Sequence, residues 1–283
     1  MALDSSIGAA DAPWRVIVTR PEREAQAWAE ALQALGIPCE TLPLIEIAGL
    51  HDPSPLTSAW QAVHKYLAVM FVSANAVRFF MSARPADMPI HGCRAWSTGP
   101  GTRNALLSAG WPAELIDSPD ETVPQFDSET LWALVAPRVA AASQSTPMAQ
   151  GKSDAQAQAK VLIVRGADAH GQLAGRDWLA LQMEAAGLKV LQTVAYVRRP
   201  PRLSEEQENR ARQAVRDGSR WLFSSSEAAQ HLLQACPDLN LAHAKALGTH
   251  PRIVLKLKQL GWSCVDLVPA GLQSQALSIK SLA

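Results

Sequence analysis

The chain repeats itself in outline, and this constrains its fold more than any single motif. FVSANAVRFF (71–80) and LFSSSEAAQHLL (222–233) each set small hydroxyl residues between an apolar run and a helix-periodic run. Their surroundings match too. RVIVTR (15–20) reads as a buried strand, followed by a helical stripe of Ala25, Trp28, Ala29, Leu32 and Leu35 that Gly36 closes. Pro21 suits the first turn of that helix, where its missing N–H removes no bond. IPCETLPLIEI (37–47) is the next strand. The same order returns as the strand VLIVRG (161–166), a longer loop, the helix RDWLALQMEAAG (176–187) and the strand LKVLQTVAYV (188–197). YLAVMFVSANAVRFF (66–80) pairs with RWLFSSSEAAQHLL (220–233), and the stretch 93–119 pairs with 244–269. DSETLWALV (127–135) and LQSQALSIKSL (272–282) would each add a closing helix. Such alternation predicts an α/β protein with parallel sheets covered by helices on both faces.

A length of 283 residues, 48% of them hydrophobic, allows two domains with sizeable cores. The 26 basic residues balance 26 acidic ones, which argues against a general nucleic-acid binder. Cys39, Cys93, Cys236 and Cys264 are scattered, with no CxxC pair and no histidine cluster, so neither a zinc site nor a redox motif is indicated. The first residues lack the basic and apolar regions of a secretory signal, and no apolar run approaches membrane-spanning length. A soluble, monomeric, cytoplasmic protein is the expectation. The Ala/Ser/Gln-rich stretch 140–160 reads as a flexible surface insertion, and residues 1–13 as disordered.

Ligands of open parallel sheets bind beyond the carboxyl ends of the strands. The loops there are TRPE, SANA, STGPGT, VRGADAHG, SSSE and LGTHPR. They are rich in small hydroxyls and glycines, with an occasional arginine, at helix starts whose free N–H groups favour anions. Each residue also has a plainer reading. Ser73, Asn75 and Ser224 read equally as N-caps, and Ser224 with Glu227 spells a capping box. His250 before Pro251 reads as a helix entry or a base, and Arg20, Arg165 and Arg198 as solvated or ligand-facing. GPGT (99–102) lacks the spacing of a nucleotide loop. Tyr196, one of two tyrosines, ends a strand in TVAYVRRPP, whose counterpart is TLPLIEIAG (41–49). These segments are expected to run side by side as a two-stranded hinge, with Tyr196 either facing a cleft or holding its hydroxyl in water.

Taken in order, these stretches resemble the uroporphyrinogen-III synthase family. The likeness runs from VIVTRPEREAQAWAEALQALGIPCETLPLIEI through VMFVSANAVRFF, STGPGTRNALLSAG, the 161–200 stretch and WLFSSSEAAQHLL to HPRIVLKLKQLGW. It implies two flavodoxin-like parallel-sheet domains joined by a two-stranded β-ladder. One domain would be discontinuous, 1–46 plus 199–283, the other 50–194, with hinge segments 44–50 and 195–200. It implies a cofactor-independent lyase that dehydrates and cyclises hydroxymethylbilane, a linear tetrapyrrole polycarboxylate, with inversion of ring D. Porphobilinogen deaminase is the implied upstream partner; neither nucleic acid nor membrane is implied. The family's hinge tyrosine falls on Tyr196 as the catalytic candidate. Its binding loops fall on Ser73, Ala74 and Asn75, on Thr102, and on Ser224 and Ser225. Arg20, Arg165 and Gly166 are further binding candidates. The family's GPTT turn is replaced by GTHPR, so Thr249, His250 and Arg252 stand where its contacts would be. No metal is implied. The rival readings are a hinged two-domain polycarboxylate-binding module without catalysis, and a nucleotide-dependent enzyme using STGPGT.

Overall fold

The computed structural model describes residues 14–90, 92–120, 128–144, 158–173 and 178–282. The disorder expected of residues 1–13, and most of the 140–160 insertion, fall outside them. In chain order the elements begin with β1 (Val16–Val18), α1 (Glu22–Ala34), β2 (Cys39–Thr41), β3 (Glu46–Gly49), α2 (Ser54–Gln61), β4 (Tyr66–Phe71) and α3 (Ala74–Ser82). Next come β5 (Arg94–Ser97), α4 (Pro100–Ser108), β6 (Ile116–Asp117), α5 (Ser128–Gln144), β7 (Lys160–Ala167), α6 (Trp178–Ala185) and β8 (Lys189–Arg199). The chain closes with α7 (Glu205–Ala214), β9 (Arg220–Phe223), α8 (Ser226–Ala235), β10 (Lys245–Gly248), α9 (Pro251–Gln259), β11 (Cys264–Leu267) and α10 (Leu272–Ser281).

Contacts divide the chain into two compact units, Met1–Glu46 with Arg199–Ala283, and Ile47–Arg198. The sheet of the first has the order β11-β10-β9-β1-β2, with every pair parallel. Strand alternation sends its side chains to two faces. Val16, Val18, Leu222 and Leu247 pack with Ala25, Ala29 and Leu32 of α1 and Ala276 and Ile279 of α10. On the other face Trp221 and Phe223 meet the edge of Trp262 at 6.0 and 5.5 Å between ring centroids.

The second sheet has the order β3-β8-β7-β4-β5-β6, parallel from β8 to β6. Val69, Phe71, Leu162 and Val164 face Trp60 of α2, Val77 and Phe80 of α3 and Leu106 of α4. Their neighbours Ala68, Met70, Val161 and Ile163 face Leu131, Val135 and Val139 of α5 and Leu179 and Met183 of α6. The strands thus serve two cores at once.

Two expectations need correction. The strand expected over 37–47 is two strands in different sheets, separated at Leu42–Ile45. Pro43 has no N–H to give a ladder. The bridging segment is instead held by Leu42 N–H to Val18 O at 3.0 Å and by His231 Nδ1–H to Leu44 O at 2.7 Å. The helix expected at 127–135 runs on to Gln144, through Pro137, because Leu131, Val135 and Val139 continue one buried stripe. Residues 140–144 therefore belong to a helix and not to a flexible insertion.

Phe80 has no exposed surface, stacks on Trp60 at 4.7 Å and meets Phe71 edge-on at 5.5 Å. Phe80→Ala should lower stability by about 3–5 kcal/mol, read from the urea midpoint. A shift under about 1 kcal/mol would mean the helix layer is not packed as described.

Candidate functional site

In an open parallel sheet the ligand crevice forms where the strand order reverses, beyond the carboxyl ends. In the second unit the chain builds outward from β4 to β5 and β6, and in the opposite direction from β7 to β8. The reversal lies between β4 and β7; Ser73 is in the loop leaving β4, and Gly166 is the penultimate residue of β7. Ser73 is the N-cap of α3, its Oγ accepting the Ala76 N–H at 3.1 Å. The same Oγ lies 3.1 Å from the Tyr196 hydroxyl.

Tyr196 reaches Ser73 through an irregularity in the ladder. Arg165 opposes Val194 but Gly166 opposes Tyr196, so Ala195 is an extra residue that re-aims the ring. A Cβ on Gly166 would lie 2.5 Å from Tyr196 Cζ and 2.9 Å from its hydroxyl oxygen. Glycine is thus required for clearance. Phe79 covers the ring, stacked at 5.9 Å with planes 22° apart. The ring is 5% exposed and belongs to the core. Tyr196 is a strand aromatic, as one reading has it, but its hydroxyl meets Ser73.

The structure brings Ser73, Gly166 and Tyr196 together, and their neighbours differ. Ala74 and Asn75 open α3, with Asn75 Oδ1 accepting from Arg78. Thr102 is buried in the first turn of α4, whose N-cap is Gly99, so its side chain is no cap. Arg165 is not solvated: it is 3% exposed and gives Nη1–H to Gln192 Oε1 at 2.8 Å.

In the first unit the order reverses between β1 and β9. Arg20 follows β1, while Ser224 and Ser225 follow β9. The capping box expected at Ser224 is absent; Ser225 is the N-cap of α8, its Oγ accepting the Glu227 N–H at 3.2 Å. The extended backbone ends one residue later than the triple serine reveals. Thr249 N–H donates to Phe223 O at 3.1 Å. His250 is the N-cap of α9, its Nδ1 accepting the Arg252 N–H at 3.1 Å, and Arg252 is exposed. Nδ1 is thereby an acceptor, and any proton His250 carries when neutral sits on Nε2. The helix-entry reading of His250 holds. Burial holds the Arg20 pKa down at about 10, and its guanidinium lies 4.1 Å from the Trp28 ring centroid.

Sequence reasoning missed Phe79 and Gln192. The helical period of α3 separates Phe79 from the core face of Ala76 and Phe80, and only its stacking partner on β8 explains it. Two surface concavities in the first unit lie elsewhere. One, of about 750 Å³, is lined by Glu40, Glu205, Glu206 and Arg210, among others, and suits no polyanion. The other, of about 410 Å³, sits at the amino ends of β9 and β10 beside Ser219 and Lys245. Among the described residues no group of three His, Cys, Asp or Glu could hold a metal, and no helix is long and apolar enough to cross a membrane. Burial pushes the Cys39 and Cys93 thiols up to about 12.

Two doubly covered parallel sheets, with hydroxyl- and arginine-bearing loops at their reversal points, define an α/β protein. A family model described as uroporphyrinogen-III synthase HemD matches residues 26–277, and the chain belongs to that family. Uroporphyrinogen-III synthetase from Helicobacter pylori is 17% identical, with 95% of this chain and 100% of that one aligned and a TM-score of 0.55. A mutant uroporphyrinogen III synthase from Thermus thermophilus is 16% identical over 95% of this chain and 98% of that one, with a TM-score of 0.51. At these identities the likeness to solved structures is one of fold.

Gly166→Ala should cost about 1–3 kcal/mol, the range of overpacked sites. Tyr196→Phe should cost about 0.5–1.5 kcal/mol through the lost Ser73 contact. Urea unfolding checks both. A Gly166→Ala protein as stable as the parent would show that the ring has room to spare.

Proposed function

We propose that the protein is a uroporphyrinogen-III synthase. It would take hydroxymethylbilane, remove its terminal hydroxyl as water and close the macrocycle with ring D inverted. The family match across residues 26–277 carries this reading. The carbon that loses the hydroxyl is activated by its own pyrrole nitrogen, which supplies the electron pair as the C–O bond breaks. A departing hydroxyl needs a proton donor, and the chain needs no metal, cofactor or nucleophile for the step. Tyr196 is our candidate donor. The Ala76 N–H occupies one lone pair of Ser73 Oγ. When Ser73 gives its own hydrogen to the phenol oxygen, the phenol O–H is free for the leaving group. The remaining task is positioning, which favours inverted closure over the spontaneous direct one.

Binding candidates are Arg20, Ser73, Ala74, Asn75, Thr102, Arg165, Gly166, Ser224, Ser225, Thr249, His250 and Arg252. Loop amides at α3, α8 and α9 would meet the carboxylates without any excess of positive charge. Thr102 and Arg165 would act from beneath this surface, since both are buried.

The flavodoxin-like character of each unit rests on strand order. The sequence β2-β1-β9-β10-β11 is the order 2-1-3-4-5, and β8-β7-β4-β5-β6 repeats it with the first pair placed later in the chain. We assign the domains as 1–46 with 199–283, and 50–194, with segments 44–50 and 195–200 as the hinge. The working form is a cytoplasmic monomer supplied by porphobilinogen deaminase, because a substrate that closes spontaneously favours prompt transfer.

Three measurements test this. Hydroxymethylbilane generated in situ from porphobilinogen, followed by oxidation and separation of isomers, should give mainly type III uroporphyrin. Only type I from folded protein would leave the hinged binding module as the better account. Tyr196→Phe should lower turnover about 10–100-fold, at or below the low end for a positioned acid, and unchanged turnover would remove Tyr196 from the chemistry. For the hinge, X-ray scattering should differ with and without product; superimposable profiles would count against it.

A further inference from the structure

We propose that Trp28 and Gln275 are positioning residues that hold Arg20 as a carboxylate-binding group at the carboxyl end of β1. The proposal rests on the reading of the protein as one that takes a polycarboxylate tetrapyrrole.

Arg20 stands two residues beyond β1, at the reversal point of the first sheet. Its guanidinium carbon lies 4.1 Å from the centroid of Trp28, which projects from the same helix it precedes. Trp28 is in turn fixed from the far end of the chain. Its indole N–H donates to Gln275 Oε1 at 2.7 Å, and Gln275 Nε2–H donates to Pro269 O at 2.7 Å. Gln275 has no exposed surface. Each end of its amide has one role, donor to a carbonyl or acceptor from an indole, so its orientation is determined by its partners. The ring under Arg20 therefore rests on a buried, fully oriented support.

The cation it carries is short of partners. Arg20 Nε is buried with no hydrogen-bond partner. Burial depresses its pKa, and Glu24, in the first turn of α1, opposes this without overcoming it. Arg20 is only partly buried, so a planar cation with one face on an aromatic ring keeps exposed surface that a planar anion can reach. The ligand class is an alkyl carboxylate, which acetate and propionate side chains of the substrate supply.

The test uses the full-length protein and the variants Arg20→Ala, Arg20→Lys, Trp28→Phe, Trp28→Leu and the double variant Arg20→Ala/Trp28→Leu, each checked by thermal melting. Arg20→Ala should raise KM for hydroxymethylbilane about 10–100-fold, as expected for a lost charged hydrogen bond, with kcat nearly unchanged. Arg20→Lys should not rescue it, Trp28→Leu should raise KM severalfold, and Trp28→Phe, which keeps a ring but loses the N–H given to Gln275, should raise it less than Trp28→Leu. The double variant should be no worse than Arg20→Ala. Additive losses, or a fall in kcat with KM unchanged, would overturn the proposal. Anaerobic calorimetry with uroporphyrinogen III separates this from the parent reading. A parent protein that makes only type I product, yet binds uroporphyrinogen III through Arg20, would sink the synthase reading and keep the carboxylate site. Equal binding by the parent and Arg20→Ala would sink the site alone.

Discussion

A parallel strand with apolar residues on both faces can stand only between two layers of helices. Val16, Ile17 and Val18 are such a strand, and Ala68 to Phe71 are another, all of them buried. The other main features follow from that requirement. Successive parallel strands of one sheet must be joined by a crossover helix, and each such helix must bury a stripe and start from a loop at a carboxyl end. The loops after β1, β4, β5, β7, β9 and β10 are thus gathered on the carboxyl edges by the same packing that makes the cores.

On our proposal, that edge also resolves a difficulty in the composition. A chain with no net charge has to receive a polycarboxylate ligand. Helix starts supply N–H donors whose positive character adds nothing to the formal charge. The arginines are used sparingly and are not equivalent. Arg165 is buried against Gln192, whereas Arg20 lies on an aromatic ring with an N–H unused. Tyr196 is a core residue whose hydroxyl end lies at the edge. Gly166 clears its ring, Phe79 stacks on it, and Ser73 meets its oxygen.

Local patterns were legible in the sequence; long-range ones were not. The stripe in α1 and the strand alternation follow from the spacing of apolar residues. Pro43 was visible too, yet a run of apolar residues around it outweighed it and suggested one strand where there are two. Pro137 sits within α5 and did not end it, because the buried stripe continues past it. Ser225 and Ser224 differ by one residue, a distinction that backbone angles make and composition cannot. The Gln275 support for Trp28 spans 247 residues, and the Ser73 contact with Tyr196 spans 123. No local signal encodes either, although the reappearance of hydroxyl residues in paired loops marked where to look.

Whether the carboxyl edges of the sheets hold the tetrapyrrole can be asked by amide hydrogen exchange with and without uroporphyrinogen III, under anaerobic conditions. Slowed exchange is predicted at residues 72–76, 98–103, 224–228 and 249–253. Protection confined to the amino-end concavity around Ser219 and Lys245, with these four segments unchanged, would contradict it.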